Sequence, residues 1–136
     1  MSFKVLLVDD DAADVFLAED ALTRESDAVV KRASDGVAAL DQLAGNGFDL
    51  VLLDQNLPGI KGDEVVRALR ANGQSASDLT PVVMFSTTKN PDEVRRAYKA
   101  GANAFVRKPD DLEGYEAVAR SVDDFWNRTA VKPTDD

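Results

Sequence analysis

Phe3-Lys4-Val5-Leu6-Leu7-Val8-Asp9-Asp10-Asp11-Ala12-Ala13-Asp14 holds an apolar run, three consecutive acids and the opening of a helix. From Val5 to Val8 no polar residue interrupts the run, the mark of a strand covered on both faces, as in a parallel sheet. Acids directly after such a strand lie at its carboxyl end, the edge at which open α/β sheets bind ligands. Asp11 and Asp14 have the spacing of a capping box, opening a helix that runs through Leu22.

Outward from this stretch, short apolar runs alternate with amphipathic segments. Phe3 to Val8, Val29 to Ala33, Phe48 to Leu53, Pro81 to Phe85 and Ala104 to Val106 read as strands, with the first and third at the sheet's centre. Asp35-Gly36 opens a helix carrying Val37, Leu40 and Leu43, and a third helix starts near Asp63 and ends near Asn72-Gly73. Asn90-Pro91-Asp92-Glu93 supplies a cap, a proline at the first helical position and first-turn acids, and Gly101 closes that fourth helix. Tyr115, Val118, Val122, Phe125 and Trp126 recur at helical intervals and mark the apolar face of a fifth. This alternation, with right-handed crossovers, predicts an α/β three-layer sandwich: a five-stranded parallel sheet with five helices on its two faces. One domain is expected over residues 1–127, with a flexible tail over 128–136.

Of 136 residues, 44% are hydrophobic and 30% charged, an ordinary globular balance. Sixteen basic against 25 acidic residues give a net charge of −9, which opposes binding to nucleic acid or an anionic membrane. No run is long enough to span a bilayer, so a cytoplasmic protein without membrane contact is expected. The chain has neither cysteine nor histidine. Thiolate and imidazole metal sites, thiol catalysis and a histidine base are therefore excluded, and any phosphoryl group has to come from another molecule.

Asp9 and Asp10 follow the first strand and Asp54 the third. If those strands are neighbours, three carboxylates meet at one edge. At about 4 Å each pair repels by roughly 1 kcal/mol in water and about 4 kcal/mol near a protein surface, so the cluster needs a cation. With oxygen donors only, the fitting ion is Mg²⁺. Ser86 after the fourth strand and Lys108 after the fifth add a hydroxyl and an ammonium at the same edge. Carboxylate, divalent cation, lysine and hydroxyl together meet the needs of phosphoryl transfer, whose barrier is governed by positioning and charge neutralisation. Singly, each has a plainer reading: acids after a strand cap a helix, a serine turns the chain, a lysine is solvated. Their coincidence at four strand ends outweighs those readings.

Val8-Asp9-Asp10, Leu53-Asp54, Pro58 through Gly62, Ser86 and Lys108-Pro109 together resemble the receiver domain of two-component response regulators, over about Phe3 to Trp126. The resemblance implies a flavodoxin-like doubly wound sheet of order 2-1-3-4-5. It implies a phosphorelay regulator in which Asp54 accepts a phosphoryl group from a sensor histidine kinase. Asp10, Asp54 and the backbone carbonyl of Asn56 would ligate Mg²⁺ directly, and Asp9 through water. Ser86 and Lys108 would contact the phosphoryl oxygens, the Lys108–Pro109 bond would be cis, and Asn56 and Thr88 would tune dephosphorylation. Phe105 stands at the switch-aromatic position: Ser86, drawn inward, vacates space into which Phe105 turns, reshaping the fourth helix, fifth strand and fifth helix. No reaction beyond self-phosphorylation and self-dephosphorylation is implied. The expected output is protein binding: to the kinase, to a second copy through that reshaped surface, or to a histidine phosphotransfer protein.

Two positions depart from the family pattern. Gln55 stands where an apolar residue is usual, and Thr87 is bulkier than the usual alanine or glycine, so both bear on access to Asp54. Asp9-Asp10 with Ala13-Asp14, then Asn56-Leu57-Pro58 and Asp124-Phe125-Trp126, resemble the small regulators that partner bacterial phytochrome kinases. Phe125 and Trp126 either plug the core end of the last helix or make a dimer contact. A rival reading is an aspartate-nucleophile phosphatase, for which Asp9 and Asp11 supply a D-x-D. That chemistry puts the nucleophile after the first strand, whereas Asp54 follows the third.

Overall fold

Apolar runs become strands, and how apolar each run is sets its place in the sheet. In a computed structural model describing residues 2–71 and 75–134, five strands form one parallel sheet. They are β1 (Phe3–Val8), β2 (Ala28–Ala33), β3 (Leu50–Leu53), β4 (Val82–Ser86) and β5 (Ala104–Arg107), in the order β2-β1-β3-β4-β5. All residues of β3 and β4 and all but Lys4 of β1 are buried, as strands covered on both faces must be. Edge strands β2 and β5, which end in Lys31-Arg32-Ala33 and Arg107, are more exposed.

Five helices complete the crossovers: α1 (Ala12–Glu25), α2 (Gly36–Gly45), α3 (Gly62–Arg70), α4 (Pro91–Ala100) and α5 (Leu112–Val122). Alternate strand residues feed two cores. Leu6, Val8, Val51, Leu53 and Met84 pack with α2, α3 and α4, and Val5, Leu7, Leu50, Leu52 and Phe85 with α1 and α5. Asp11, Asp35, Asn90 and Asp111 cap their helices through side-chain oxygens, and Gly101 closes α4 with φ 114°, a conformation costly for any residue with a Cβ. No helix among the described residues is long and apolar enough to cross a membrane.

The first strand and the fourth helix have the bounds read in the sequence, the other strands shift at one or both ends by one or two residues, and the first helix runs on to Glu25. Asn72-Gly73, the expected end of the third helix, lies outside the described residues. The fifth helix departs more from its pattern. A π-helical turn over Asp123–Asn127 follows α5 and rotates the chain off the α-helical period. Phe125 is consequently 51% exposed instead of continuing the apolar face, and it packs edge-on against Trp126 at 4.8 Å. Beyond it, Lys132 pairs with Asp49 at 2.9 Å and lies over the Phe3 ring, at the amino-terminal end of the sheet.

Candidate functional site

Register brings the acids together. Val8 pairs with Leu53, so the residues that follow, Asp9 and Asp54, leave neighbouring strands at the same level. The backbone extends the ladder by one step: Asp54 N–H donates to Val8 O at 3.0 Å and Asp9 N–H to Ala33 O at 3.1 Å. β1 and β3 flank the point where the strand order reverses, which is where a doubly wound sheet opens a crevice. Asp9, Asp10 and Asp54 each place a carboxylate oxygen there, all within 4.8 Å of one another. Asp9 and Asp54 are buried and Asp10 is exposed, leaving one side open to solvent.

Lys108 arrives from the far edge. Its backbone N–H donates to Ser86 O at 2.9 Å, and its side chain, 3% exposed, runs back to the crevice. The ammonium donates to Asp9 at 2.7 Å, Asp14 at 2.8 Å and Asp54 at 3.2 Å, which uses all three of its hydrogens. Burial lowers the lysine's pKa, but hydrogen bonds to Asp14 and Asp9 and the charges of Asp54 and Asp9 outweigh it and hold Lys108 above the ordinary lysine range. Asp9 moves up as well. Burial raises its pKa by more than Lys108 and the Asp11 N–H lower it, and the Asp54 charge adds to the rise. The two directions agree physically: one ammonium gains from several acids, while each acid holds only a share of it.

Asp14 was not legible as part of this site. The capping-box reading is half right, since Asp11 Oδ1 accepts from the Ala13 and Asp14 N–H groups. The Asp14 side chain, however, turns to Lys108 instead of back to the helix start, because a buried ammonium with three hydrogens is the stronger partner. Its charge also acts on the buried Tyr115 phenol, whose pKa burial and the Asp14 charge push up to about 12. The sequence showed Tyr115 only as one position on an apolar helix face.

The other predicted residues fall around the crevice. Ser86 ends β4 with no exposure, its hydroxyl oxygen accepting from Thr88 N–H at 3.4 Å. Exposed Asn56 donates its N–H to Asp54 Oδ1 at 3.3 Å, and half-buried Thr88 accepts from Asn90 N–H. Phe105 is half-buried against the core beneath α2–α4, and its N–H donates to Tyr98 Oη of α4 at 3.0 Å. Contrary to the expectation of a cis bond, Lys108–Pro109 is trans, like every peptide bond among the described residues. Trans is the form an X–proline amide favours by about 0.5–1 kcal/mol.

A hard divalent cation fits this donor set. Three carboxylates, with no cysteine or histidine anywhere in the chain, match oxygen-seeking ions, and the open side at Asp10 leaves room for waters or a phosphate oxygen.

Comparison with known proteins agrees. Residues 5–119 match the profile of the response regulator receiver domain. Response regulator Rcp1 of Synechocystis sp. is 31% identical over 95% of this chain and 92% of its own. The phosphorylated cyanobacterial phytochrome response regulator RcpA superposes with a TM-score of 0.88 at 30% identity, covering 98% of this chain and 100% of that one. The Mn²⁺-bound form of Rcp1 superposes with a TM-score of 0.83 at 29% identity, covering 96% of this chain and 99% of that one.

Proposed function

The chain belongs to the response regulator receiver family, and on that footing we propose that it is a phosphorelay switch in which Asp54 takes a phosphoryl group from a sensor histidine kinase in the presence of Mg²⁺. The supporting observation is the meeting of Asp9, Asp10 and Asp54 oxygens within 4.8 Å, with the Lys108 ammonium 3.2 Å from Asp54. Asp10, Asp54 and the Asn56 carbonyl would hold the ion directly and Asp9 through water. Bound there, Mg²⁺ supplies neutralisation of the charge on the transferring group.

An Asp54 carboxylate oxygen forms the new O–P bond as the P–N bond of a phosphohistidine breaks. The leaving imidazole keeps the electron pair and takes a proton from solvent. Lys108 and Ser86 then bind the phosphoryl oxygens, and Asn56 and Thr88 set how fast water removes the group. As Ser86 shifts inward, Phe105 turns into the vacated space. The Phe105 N–H is bonded to Tyr98, so that turn is felt by α4 as well as β5.

The likeness to RcpA, a cyanobacterial phytochrome response regulator, supports the further reading that the histidine kinase is of the bacterial phytochrome type. In this reading the relay runs in the cytoplasm, with a histidine phosphotransfer protein as a further donor or acceptor. The surface of α4, β5 and α5 would join two copies. Beside it, a groove of about 640 Å³ between β5 and α5 is lined by Val106, Val118, Phe125 and Trp126, an apolar face suited to such a contact. Phe125→Asp, which puts a charge into that face, is expected to leave the phosphorylated protein monomeric in sedimentation where the wild type dimerises. Dimerisation unaffected by the charge would move the interface elsewhere.

The reaction is tested with acetyl phosphate, in which a P–O bond takes the place of P–N. With Mg²⁺, the intact mass rises by one phosphoryl group; with a chelator, it does not. An equal gain without divalent ion would remove Mg²⁺ from the reading.

A further inference from the structure

Gln55, immediately after Asp54, is 2% exposed although its side chain is a primary amide. A buried amide needs partners, and this one finds them in a single residue. Its Nε2 donates to Asp63 Oδ1 at 2.6 Å, and its Oε1 accepts from the Asp63 backbone N–H at 3.0 Å. The two bonds close a ring between the peptide after the acceptor and the first turn of α3. Gly62 N–H reinforces it, donating to the Gln55 carbonyl at 3.0 Å. Asp63 is itself only 5% exposed, and its other oxygen faces Arg67 at 3.6 Å and Arg96, from α4, at 3.9 Å. Those guanidiniums compensate a carboxylate that would otherwise be buried alone.

We propose that Asp63 is a positioning residue for the cation, acting through Gln55 on the peptide that runs from Asp54 to Asn56. This rests on the reading of Asp10, Asp54 and the Asn56 carbonyl as the Mg²⁺ ligands. Asn56 is exposed, while the residues on either side of it, Gln55 and Leu57, are each 2% exposed. The aim of the Asn56 carbonyl is therefore set by its two buried neighbours. Leu57 is held by packing in the core beneath α2–α4, and Gln55 by its ring with Asp63. Partners one step removed from a metal fix the orientation of its ligands, and losing them weakens metal binding by about 10–100-fold. Asp63 touches neither Asp54 nor Asn56 in this scheme; its effect passes entirely through the Gln55 side chain.

A helix staple without influence on the metal is the plainer role, and three variants separate the two. Asp63→Asn keeps an acceptor oxygen for Gln55 and loses the charge. Asp63→Ala leaves the Gln55 amide buried without its acceptor, which alone endangers the fold. Gln55→Leu combined with Asp63→Ala removes the ring and buries no unpaired amide side chain, leaving only the backbone N–H of residue 63 without its acceptor, a cost to folding that the melting temperatures report. Mg²⁺ binding to the metal-free proteins is read by titration calorimetry, with melting temperatures measured in parallel. The double variant is expected to bind Mg²⁺ about tenfold or more weakly than wild type, and Asp63→Asn within about twofold. A double variant with wild-type Mg²⁺ affinity, whatever its melting temperature, overturns the assignment. So does an Asp63→Asn protein as weak as the double variant, which would make charge and not the hydrogen-bonded ring the cause. Wild type that binds no more Mg²⁺ than Asp54→Asn instead brings down the metal reading, and the assignment with it.

Discussion

Asp54→Asn takes up no phosphoryl group from acetyl phosphate and Mg²⁺ under conditions in which the wild type gains one. An amide is neither a nucleophile nor an anionic ligand, so the variant loses the bond-forming oxygen and a share of the cation together. A rate loss of roughly 10³-fold or more, about 4 kcal/mol of barrier, is expected in intact mass spectra followed over time. Stability moves the other way. Asp54 lies within 4.8 Å of two carboxylates and 3.2 Å from one ammonium. Neutralising it removes two repulsions and one attraction of similar size, a net gain of about 1–2 kcal/mol without metal. The metal-free variant therefore melts about 2–6 °C higher than wild type. Mg²⁺ at about 100 times its dissociation constant stabilises the wild type by about 2.7 kcal/mol and the variant by much less. A phosphoryl gain that persists undiminished in Asp54→Asn would remove Asp54 as acceptor, and equal stabilisation of both proteins by Mg²⁺ would dissolve the shared cation site.

That opposition between chemistry and stability is legible in the sequence, because it depends on strand ends. The runs around Leu6 and Leu52 are apolar without interruption, so they have to be central strands, and the acids after them have to meet. What escaped the sequence was the direction of individual side chains. Asp14 has the spacing of a capping partner; only the arrival of Lys108 from the end of β5, 94 residues along the chain from Asp14, turns its side chain toward the site, where its charge acts on Tyr115, which by spacing is a core residue. Gln55 was legible as an oddity after the acceptor, but its partner was not, since Asp63 looks like any first-turn acid of a helix. The π turn at Asp123–Asn127 was invisible for a different reason. Its apolar residues fit the α-helical period, and nothing local announces the extra residue that exposes Phe125.

Lys108→Met should have the largest effect on stability, and its size should depend on pH and on Mg²⁺. The ammonium is 3% exposed and bonded to three carboxylates, of which Asp9 and Asp54 are buried. Removing one partner of a buried ionic cluster leaves the remaining charges uncompensated, about 3–5 kcal/mol at neutral pH. Asp9 fixes the sign of the pH dependence. Its carboxyl already sits above the ordinary aspartate range, chiefly through burial, and loss of the lysine that lowers it pushes it higher. A raised pKa in the folded state means that the native protein binds the proton more tightly than the unfolded chain does. Stability from this group is then fully present below the unfolded pKa and lost as pH rises through the folded one. The variant is therefore closest to wild type near pH 4 and furthest from it near pH 7. Mg²⁺ narrows the gap at pH 7, because the ion takes over part of the neutralisation that the lysine provided. Urea midpoints at the two pH values, with and without Mg²⁺, read all of this directly. A penalty equal under all four conditions would mean that Lys108 stabilises through its packed stem and not through charge, leaving the crevice with no electrostatic demand for a cation.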